Sequence, residues 1–262
     1  MRVNIIVSGL QGKMGSLVAE EAMKDPRHEL LTASSRSGPC ERFGKSFVAN
    51  IEEALGAQNE KDLKNAVWVD FTHPSATEKH LALAERFNLA LLIGTTGLDD
   101  PLKKKVQDAS KKIPLMLAAN TSLGANLLFQ LSALSAKALP QADVEIMELH
   151  HREKRDAPSG TALRLAEEIA HARPKKSHLE LQGRHHKNEP RQAGSIGVVG
   201  ARGGTVAGEH TSYFFLDDER IEISHKVQDR RVFAHGALYA ARFLSGKQPG
   251  LYTMIDALGL SI

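Results

Sequence analysis

Short apolar runs alternate with helix-length amphipathic stretches through the first 120 residues, and this alternation limits the possible folds more than any other feature. The runs VNIIV and ELLTAS predict strands. AVWVDF, LALLIG and IPLMLAA are continuous apolar runs, which are typical of strands buried on both faces. The intervening stretches, 13–24, 75–87 and 98–112, predict crossover helices. We therefore predict an α/β fold with a Rossmann-type, doubly wound parallel sheet.

A second pattern begins after residue 120 and predicts a second domain. Helices are predicted over 122–139 and 161–171, a strand over 143–149, and a loop rich in Lys, His and Arg over 174–191. The stretch 194–227 then has short strand-like runs separated by glycine turns, which predicts an antiparallel or mixed sheet. A final helix over 231–245 is predicted to return to the first domain. We predict a first domain of 1–120 plus 230–262 and a second, α+β domain of 121–229.

Composition excludes several classes of function. The single cysteine, Cys40, permits no disulfide within the chain, which favours a reducing compartment and therefore the cytoplasm. Lys and Arg number 34 against 31 Asp and Glu, without the basic runs of nucleic-acid binders, so we expect no nucleic-acid partner. The apolar run near the start is far shorter than the ~20 residues of a membrane span, so we expect no membrane segment. A small anionic partner suits this charge balance better.

The first predicted strand leads into SGLQGKMG, where Gly9, Gly12 and Gly15 are spaced by three and a helix follows. Glycines at this place allow a tight turn and let the backbone approach a pyrophosphate at the helix start. Gln11 occupies the position of the usual middle glycine. An ordinary strand-to-helix turn is the alternative, but the place of the loop in the first strand–helix unit favours a dinucleotide site.

The second predicted strand ends in SSRSG, where dinucleotide-binding proteins selective for NAD carry an acidic residue. Ser34, Ser35 and Arg36 offer hydroxyls and a guanidinium that can hold a phosphate dianion. The fourth strand ends in GTTG and the fifth in AANTSLGAN. Because the carboxyl ends of parallel strands meet at one edge of a sheet, these segments are expected to line the same cofactor groove.

ELHHREKRDAPSGTA, from Glu148 to Ala162, follows a predicted strand that delivers His150 and His151 at its end. Ser159 stands at the expected N-cap of the next helix, whose first N–H groups suit a carboxylate or phosphate. Lys154 lies between the histidines and this helix start. A polar hinge loop is the alternative, but candidate proton donors, a cation and an anion-binding helix end together favour a catalytic and substrate-binding site.

The sequence resembles the 4-hydroxy-tetrahydrodipicolinate reductases, also called dihydrodipicolinate reductases, of bacterial lysine and diaminopimelate synthesis. The likeness covers essentially the whole chain, and its motifs are GLQGKMG, VDFTHPSAT, IGTTG, AANTSLGAN, ELHHREKRDAPSGTA, GEHT and RVFAHGAL. It implies a nicotinamide-binding Rossmann domain completed by the C-terminal helix, a substrate domain built on a mixed sheet, and a homotetramer formed through that sheet. The implied substrate is a cyclic imine with two carboxylates, reduced by hydride from NAD(P)H.

The resemblance also implies roles for particular residues. It makes His150 the catalytic histidine, Lys154 the proton-donating lysine, and His151, Gly160 and Thr161 the contacts of the substrate carboxylate. Ser159 joins this substrate-binding group by its place at the expected N-cap. The implied cofactor contacts form a larger set: Gly9, Leu10, Gln11, Gly12, Lys13, Met14, Arg36, Gly94, Thr95, Thr96, Ala118, Ala119, Asn120 and Thr121. Ser35 joins this set by its place at the end of the second predicted strand.

Three positions depart from the commonest pattern of the family. Glu153 replaces a frequent histidine, Thr121 replaces an aromatic residue beside the nicotinamide, and Ser35 replaces the ribose-binding acid. Ser35 removes a carboxylate that would repel the extra phosphate of NADPH, and Arg36 supplies a cation. We therefore predict that NADPH is preferred and that NADH is also accepted.

Other functions are less consistent with the sequence. A short-chain dehydrogenase needs a Tyr-x-x-x-Lys pair, but the residues four beyond the tyrosines are Asp217, Phe243 and Asp256. A semialdehyde dehydrogenase needs a nucleophilic cysteine, and Cys40 lies far from the histidines in sequence. Twelve histidines leave a zinc site open, but no His-Glu-x-x-His or cysteine pair supports one, and we expect no metal. A non-catalytic NADP(H)-binding redox sensor remains the alternative from another class.

Overall fold

The computed structural model describes residues 2–35, 38–174, 177–181 and 190–260. These residues divide into two compact units, and each is considered by itself. Unit 1 comprises residues 1–123 and 231–262, and unit 2 comprises residues 124–230.

A six-stranded parallel sheet forms the centre of unit 1. Its strands, in the order of the sheet, are β13 (Gly250–Tyr252), β7 (Pro114–Leu117), β6 (Ala90–Ile93), β5 (Val67–Asp70), β1 (Val3–Ser8) and β2 (His28–Ser34). The chain moves from β1 outward to β2 and then crosses to β5 on the other side of β1. A crevice therefore opens between the carboxyl ends of β1 and β5, where doubly wound sheets bind their ligands.

Helices cover the sheet of unit 1, and a two-stranded hairpin follows β2. The hairpin is β3 (Cys40–Arg42) with β4 (Lys45–Phe47). The helices are α1 (Lys13–Lys24), α2 (Ile51–Gly56), α3 (Glu60–Leu63), α4 (Pro74–Arg86), α5 (Asp100–Ala109), α8 (Arg231–Leu244) and α9 (Met254–Leu258). Two apolar clusters contain the side chains of alternate strand residues, such as Ile5 and Ile6. Burial of strand residues in both clusters explains why the runs are continuously apolar, and it confirms the predicted parallel sheet.

A five-stranded mixed sheet forms the centre of unit 2. Its strands, in the order of the sheet, are β12 (Arg220–Val227), β11 (Gly208–Phe215), β8 (Asp143–His150), β10 (Ser195–Arg202) and β9 (His178–Leu181). Strand β11 pairs antiparallel with β8 and β12, whereas β10 pairs parallel with β8 and β9. Helices α6 (Leu123–Ala138) and α7 (Gly160–Ala172) contribute apolar residues to the core with this sheet. The mixed sheet of the second domain is thus confirmed.

Alternation along β8 exposes one face of this sheet. Val144, Ile146, Glu148 and His150 are buried, whereas Met147 and Leu149 are 47% and 41% exposed. Phe215 on the neighbouring strand β11, which pairs with Asp143 on this face, is likewise exposed. The buried face therefore carries two titratable residues at its carboxyl end, and the other face carries apolar side chains toward solvent.

Some predicted elements were wrong or missing. Strand β9 lies within 174–191, which was predicted to be loop, because a short edge strand flanked by Lys, His and Arg has little apolar signal. The elements of three to six residues β3, β4, α2, α3, β13 and α9 were not predicted. Among the described helices, none combines the length and hydropathy needed to cross a bilayer.

Candidate functional site

The glycine loop, residues 9–15, connects β1 to α1 in unit 1. Gly9 adopts φ +80°, a conformation that favours glycine, and its carbonyl accepts the N–H of Gly12 at 2.8 Å. A Cβ on Gly15 would collide with the carbonyl of Gly9. Gly12 is the N-cap of α1 and supplies no side-chain cap, so the first N–H groups of the helix have no side-chain acceptor from that position. This arrangement suits a pyrophosphate, which such N–H groups bind.

A pocket of about 1290 Å³ adjoins the glycine loop, within unit 1. Its lining includes Gly9, Gln11 and Gly12 from the glycine loop, Ser34 at the end of β2, and Phe71 and Thr72 after β5. The pocket therefore lies at the crevice between β1 and β5. Its position and its glycine edge fit a dinucleotide.

The remaining predicted residues of the glycine loop contribute differently. The side chain of Leu10 is buried in the core, and Met14 packs against the same core. Lys13 is exposed at the start of α1. Contacts with a cofactor from Leu10 would therefore come from its backbone.

The end of β2 differs from the sequence prediction in one respect. Ser34 lines the pocket, whereas Ser35 is 1% exposed and its Oγ has no hydrogen-bond partner within the described residues. The backbone N–H of Ser35 donates to the carbonyl of Val48. Arg36, the predicted phosphate-binding cation, lies outside the described residues.

The segments after β6 and β7 are held by local hydrogen bonds. A Cβ on Gly94 would collide with the ring of Phe71, and Thr95 Oγ1 accepts the N–H of Thr72 at 3.0 Å. Thr96 and Ala119 are exposed, Ala118 is buried, and Asn120 Oδ1 accepts the N–H of Ser122. Thr121 is buried and donates to the carbonyl of Phe233 on α8 at 2.7 Å, so its side chain has a structural contact within unit 1.

In unit 2 the histidine loop, residues 150–161, connects β8 to α7. Ser159 is the N-cap of α7, and its Oγ accepts the N–H of Ala162 at 3.2 Å. Gly160 and Thr161 form the first turn of this helix, where backbone N–H groups favour an anion. A Cβ on Gly160 would meet open space. The helix start is therefore open to a ligand.

Glu148 brings the parts of the histidine loop together. It is on β8 two residues before His150, so both side chains lie on the buried face. Glu148 Oε2 forms an ion pair with Nδ1 of His150. Its Oε1 accepts hydrogen bonds from the backbone N–H of Ser159, at 3.1 Å, and from Nη2 of Arg202, at 2.8 Å. Burial raises the pKa of Glu148, but the hydrogen bonds from His150 and Arg202 outweigh it and lower the pKa to about 2.

His210, from the GEHT motif on β11, completes the cluster. Its ring lies edge-on to that of His150, with centroids 5.1 Å apart, and its Nε2 is 3.1 Å from Ser159 Oγ. Burial, reinforced by the positive charge of His150, lowers the pKa of His210 to about 4, so this imidazole is neutral at pH 7. The cluster thus contains the charged carboxylate of Glu148 and the neutral imidazole of His210.

Glu148, His150 and His210 are also spaced to hold a metal, with one ligand atom from each within 4.8 Å of the others. The sequence prediction of no metal overlooked this group. Arg202 donates to the same carboxylate, however, and its guanidinium would repel a cation. The geometry favours a hydrogen-bonded cluster over a metal centre.

Two further cations lie beside the histidines. The ammonium of Lys154 contacts both carboxylate oxygens of Asp156, at 2.8 and 2.9 Å, and this hydrogen bond lowers the pKa of Asp156. Arg230 Nη2 donates to Nε2 of His151 at 3.2 Å. The structure thus brings His150, His151, Lys154 and the start of α7 into one loop.

Glu148, Arg202, His210 and Arg230 were assigned no role by sequence. Glu148 carries a usable signal, since it is two residues from His150 on an alternating strand. Arg202 and Arg230 carry none, because they reach the loop only through the pairing of β10 with β8 and the turn after β12.

Comparison with known proteins gives the same family for both parts of the chain. The model for the dihydrodipicolinate reductase N-terminus matches residues 3–121, and that for the C-terminus matches residues 124–258. A 4-hydroxy-tetrahydrodipicolinate reductase of Nitrosomonas europaea is 39% identical over 98% of this chain and 98% of its own. Another, of Aquifex aeolicus, is 39% identical over 99% of this chain and 100% of its own.

Solved structures support the fold. A dipicolinate-bound dihydrodipicolinate reductase from Paenisporosarcina sp. TG-14 is similar with a TM-score of 0.81 and 24% identity, over 98% of this chain and 99% of that one. An engineered D-amino acid dehydrogenase bound to NADP⁺ is similar with a TM-score of 0.55 and 13% identity, over 98% of this chain and 94% of that one.

Proposed function

Because the chain belongs to the dihydrodipicolinate reductase family, we propose that its histidine loop holds and protonates the substrate and that its glycine loop holds the dinucleotide. The chain is an NAD(P)H-dependent oxidoreductase that reduces 4-hydroxy-tetrahydrodipicolinate to tetrahydrodipicolinate in lysine and diaminopimelate biosynthesis. The observation that carries the proposal is the arrangement of His150, Lys154 and the capped start of α7 on one loop.

The substrate, a cyclic imine with two carboxylates, suits the positive character of the histidine loop. The first turn of α7, at Gly160 and Thr161, receives one carboxylate, and Ser159 fixes the start of that helix through its cap. His151 contributes a further contact, with Arg230 donating to its ring. The dipicolinate named for the similar Paenisporosarcina protein is a dicarboxylate ring, which agrees with this assignment.

Proton delivery is the chemical task of the protein. The nicotinamide supplies the hydride when it is bound. Lys154 and His150 are the candidate acids that protonate the electron-rich atom of the substrate. Lys154 is hydrogen-bonded to Asp156, whose low pKa keeps a carboxylate beside the ammonium. General-acid assistance typically gives roughly 10²- to 10⁴-fold in rate.

Unit 1 provides the dinucleotide site of the proposal. The cofactor-binding residues implied by sequence surround the glycine loop and the ends of β2, β6 and β7, and Gly9, Gln11, Gly12 and Ser34 line the pocket. NADPH is the proposed preferred cofactor, with NADH accepted. No carboxylate is present at Ser34 or Ser35, which supports this preference.

A homotetramer in the cytoplasm is the proposed form of the enzyme. Met147, Leu149 and Phe215 on the exposed face of the mixed sheet are between 38% and 47% exposed, which favours burial against another copy of the chain. The single cysteine is consistent with a reducing compartment.

The activity is tested by following NADPH absorbance with the product of the condensation of pyruvate and aspartate semialdehyde. We expect oxidation of NADPH that depends on this product, and competition by pyridine-2,6-dicarboxylate against the substrate. His150→Gln provides the control for turnover at the histidine loop. Purified, folded protein that leaves NADPH unchanged would contradict the activity, and unchanged turnover in His150→Gln would contradict the assigned site.

A further inference from the structure

We infer that Glu148 is a positioning residue that fixes the orientation of the His150 ring through Nδ1 and ties it to the start of α7. This role rests on the proposed function, because it takes His150 as the catalytic histidine. Glu148 had no function predicted from sequence, and in this inference it prepares the site before the substrate binds.

The two carboxylate oxygens of Glu148 have separate partners. Oε2 is paired with Nδ1 of His150. Oε1 accepts the N–H of Ser159 and the guanidinium of Arg202, at 3.1 and 2.8 Å. Arg202 also donates to the carbonyl of Asp156, two residues beyond Lys154. One side chain thus connects the catalytic histidine to the N-cap that shapes the proposed carboxylate site.

The burial of Glu148 argues against a role in packing alone. Its side chain is 0% exposed, and a buried carboxylate is costly unless its hydrogen bonds are satisfied. An apolar side chain would avoid that cost at a position that served packing alone. The buried carboxylate, its two hydrogen-bond donors and its ion pair with His150 therefore point to a task at the histidine and the helix start.

The position of Glu148 places a carboxylate oxygen beside Nδ1 of His150. A carboxylate acceptor at Nδ1 favours a proton there, as carboxylates do for other histidines whose second nitrogen is functional. Nε2 then lies on the opposite side of the ring beside Gly208, where an added Cβ would be 3.0 Å away. Glu148 on β8 and His210 on β11 face this ring, while Arg202 on β10 is paired with Glu148 and Lys154 on the loop acts electrostatically on His210.

Glu148→Gln tests the charge while it preserves the shape. The amide oxygen can still accept from Ser159 and Arg202, but the carboxylate beside His150 is lost. We expect kcat to fall about 10- to 100-fold, less than the full loss of a general acid, with the substrate KM within about threefold. The pH–rate profile is expected to move to lower pH, because a negative charge beside the site is lost.

Glu145→Gln is the matched control. Glu145 is on the same strand and also pairs with an arginine of unit 2, Arg191, at 3.1 Å, but it does not contact His150. We expect it to leave kcat and the pH–rate profile unchanged. If folded Glu148→Gln behaves like Glu145→Gln, the positioning role is overturned.

A measurement on the unmodified protein guards against a Glu148 variant that does not fold. In protein labelled with ¹⁵N-histidine, the His150 signals are assigned by their absence in His150→Gln. We expect Nδ1 of His150 to carry a proton at neutral pH. An unprotonated Nδ1 would overturn the inference whatever the variant does.

The same variants separate this inference from the proposed function. If His150→Gln loses turnover while Glu148→Gln keeps both turnover and its pH profile, Glu148 has no positioning role and the proposed site stands. If His150→Gln keeps turnover, the proposed site is wrong, and the role of Glu148 is overturned with it.

Discussion

Each unit contains a strand–loop–helix segment suited to an anion, and the two segments are built by different means. The glycine loop offers backbone N–H groups to a ligand. Gly12 caps α1 without a side chain, and its N–H closes the turn by donating to the carbonyl of Gly9. The histidine loop offers buried side chains: Ser159 caps α7, and Glu148 joins it to His150. Binding an anion requires only N–H donors and a helix dipole, whereas proton transfer also requires titratable groups with fixed protonation states.

The largest expected effect on ligand binding comes from a change that breaks the glycine loop. A Cβ at Gly15 collides with the carbonyl of Gly9, so Gly15→Val must displace the turn. We expect NADPH affinity, measured by titration calorimetry, to fall on the order of 100-fold, about 3 kcal/mol. Binding of pyridine-2,6-dicarboxylate should persist.

Gly56→Ala is the control for that change. An added Cβ at Gly56, the last residue of α2, meets nothing within 4 Å, so the variant should bind NADPH normally. A Gly15→Val protein that binds NADPH as tightly as this control would show that the turn geometry is not needed for the dinucleotide.

Acid should destabilise the histidine loop through His210. Its pKa is about 4 when folded and ~6.5 when unfolded, so the unfolded state binds more protons as pH falls below ~6.5. The stabilisation that neutral His210 provides is complete above pH ~6.5, and it is progressively lost as the pH falls to about 4. Urea unfolding followed by circular dichroism should give about 2 kcal/mol less stability at pH 5 than at pH 7 from this residue.

His210→Gln is expected to reduce that pH dependence, while His171→Gln, at the exposed end of α7, should leave it unchanged. Equal slopes for the two variants would show that burial of His210 does not govern the acid response. Glu148 adds a second loss at lower pH, since its lowered pKa contributes stability above ~4.5 that disappears toward pH 2.

A substitution at Gly160 tests the open helix start. Because a Cβ there meets open space, Gly160→Val should fold but occupy the proposed carboxylate position. We expect the substrate KM to rise roughly tenfold, about 1.4 kcal/mol, with little change in NADPH affinity. Steady-state kinetics with normal KM for Gly160→Val would remove the carboxylate from this helix start.

A further expected effect concerns cofactor choice at the end of β2. A hydrogen bond to a charged group contributes roughly 1.5 to 3 kcal/mol, so kcat/KM should favour NADPH over NADH by around tenfold or more. Arg36→Ala should lower the NADPH value and spare NADH. Equal losses with both cofactors would show that this arginine does not recognise the 2′-phosphate.

The two segments were not equally predictable from sequence. The spacing of glycines after a buried strand predicts the glycine loop, because the proposed role of this loop depends on backbone N–H groups and backbone conformation. Helix α1 also begins and ends where predicted. The histidine loop was recognised from one continuous run, ELHHREKRDAPSGTA, but its partners come from elsewhere. Arg202 and His210 reach Glu148 and Ser159 only because β10 and β11 pair with β8, and periodicity does not reveal strand order.

The contrast between the two loops is tested most directly by single-turnover kinetics of Lys154→Ala, with NADPH affinity measured on the same sample. If the histidine loop supplies proton chemistry and the glycine loop supplies dinucleotide binding, hydride transfer at saturating substrate slows by about 10²- to 10⁴-fold. The dissociation constant for NADPH stays within about twofold. Wild-type hydride transfer in folded Lys154→Ala, or a loss explained entirely by weaker NADPH binding, would contradict this division of roles.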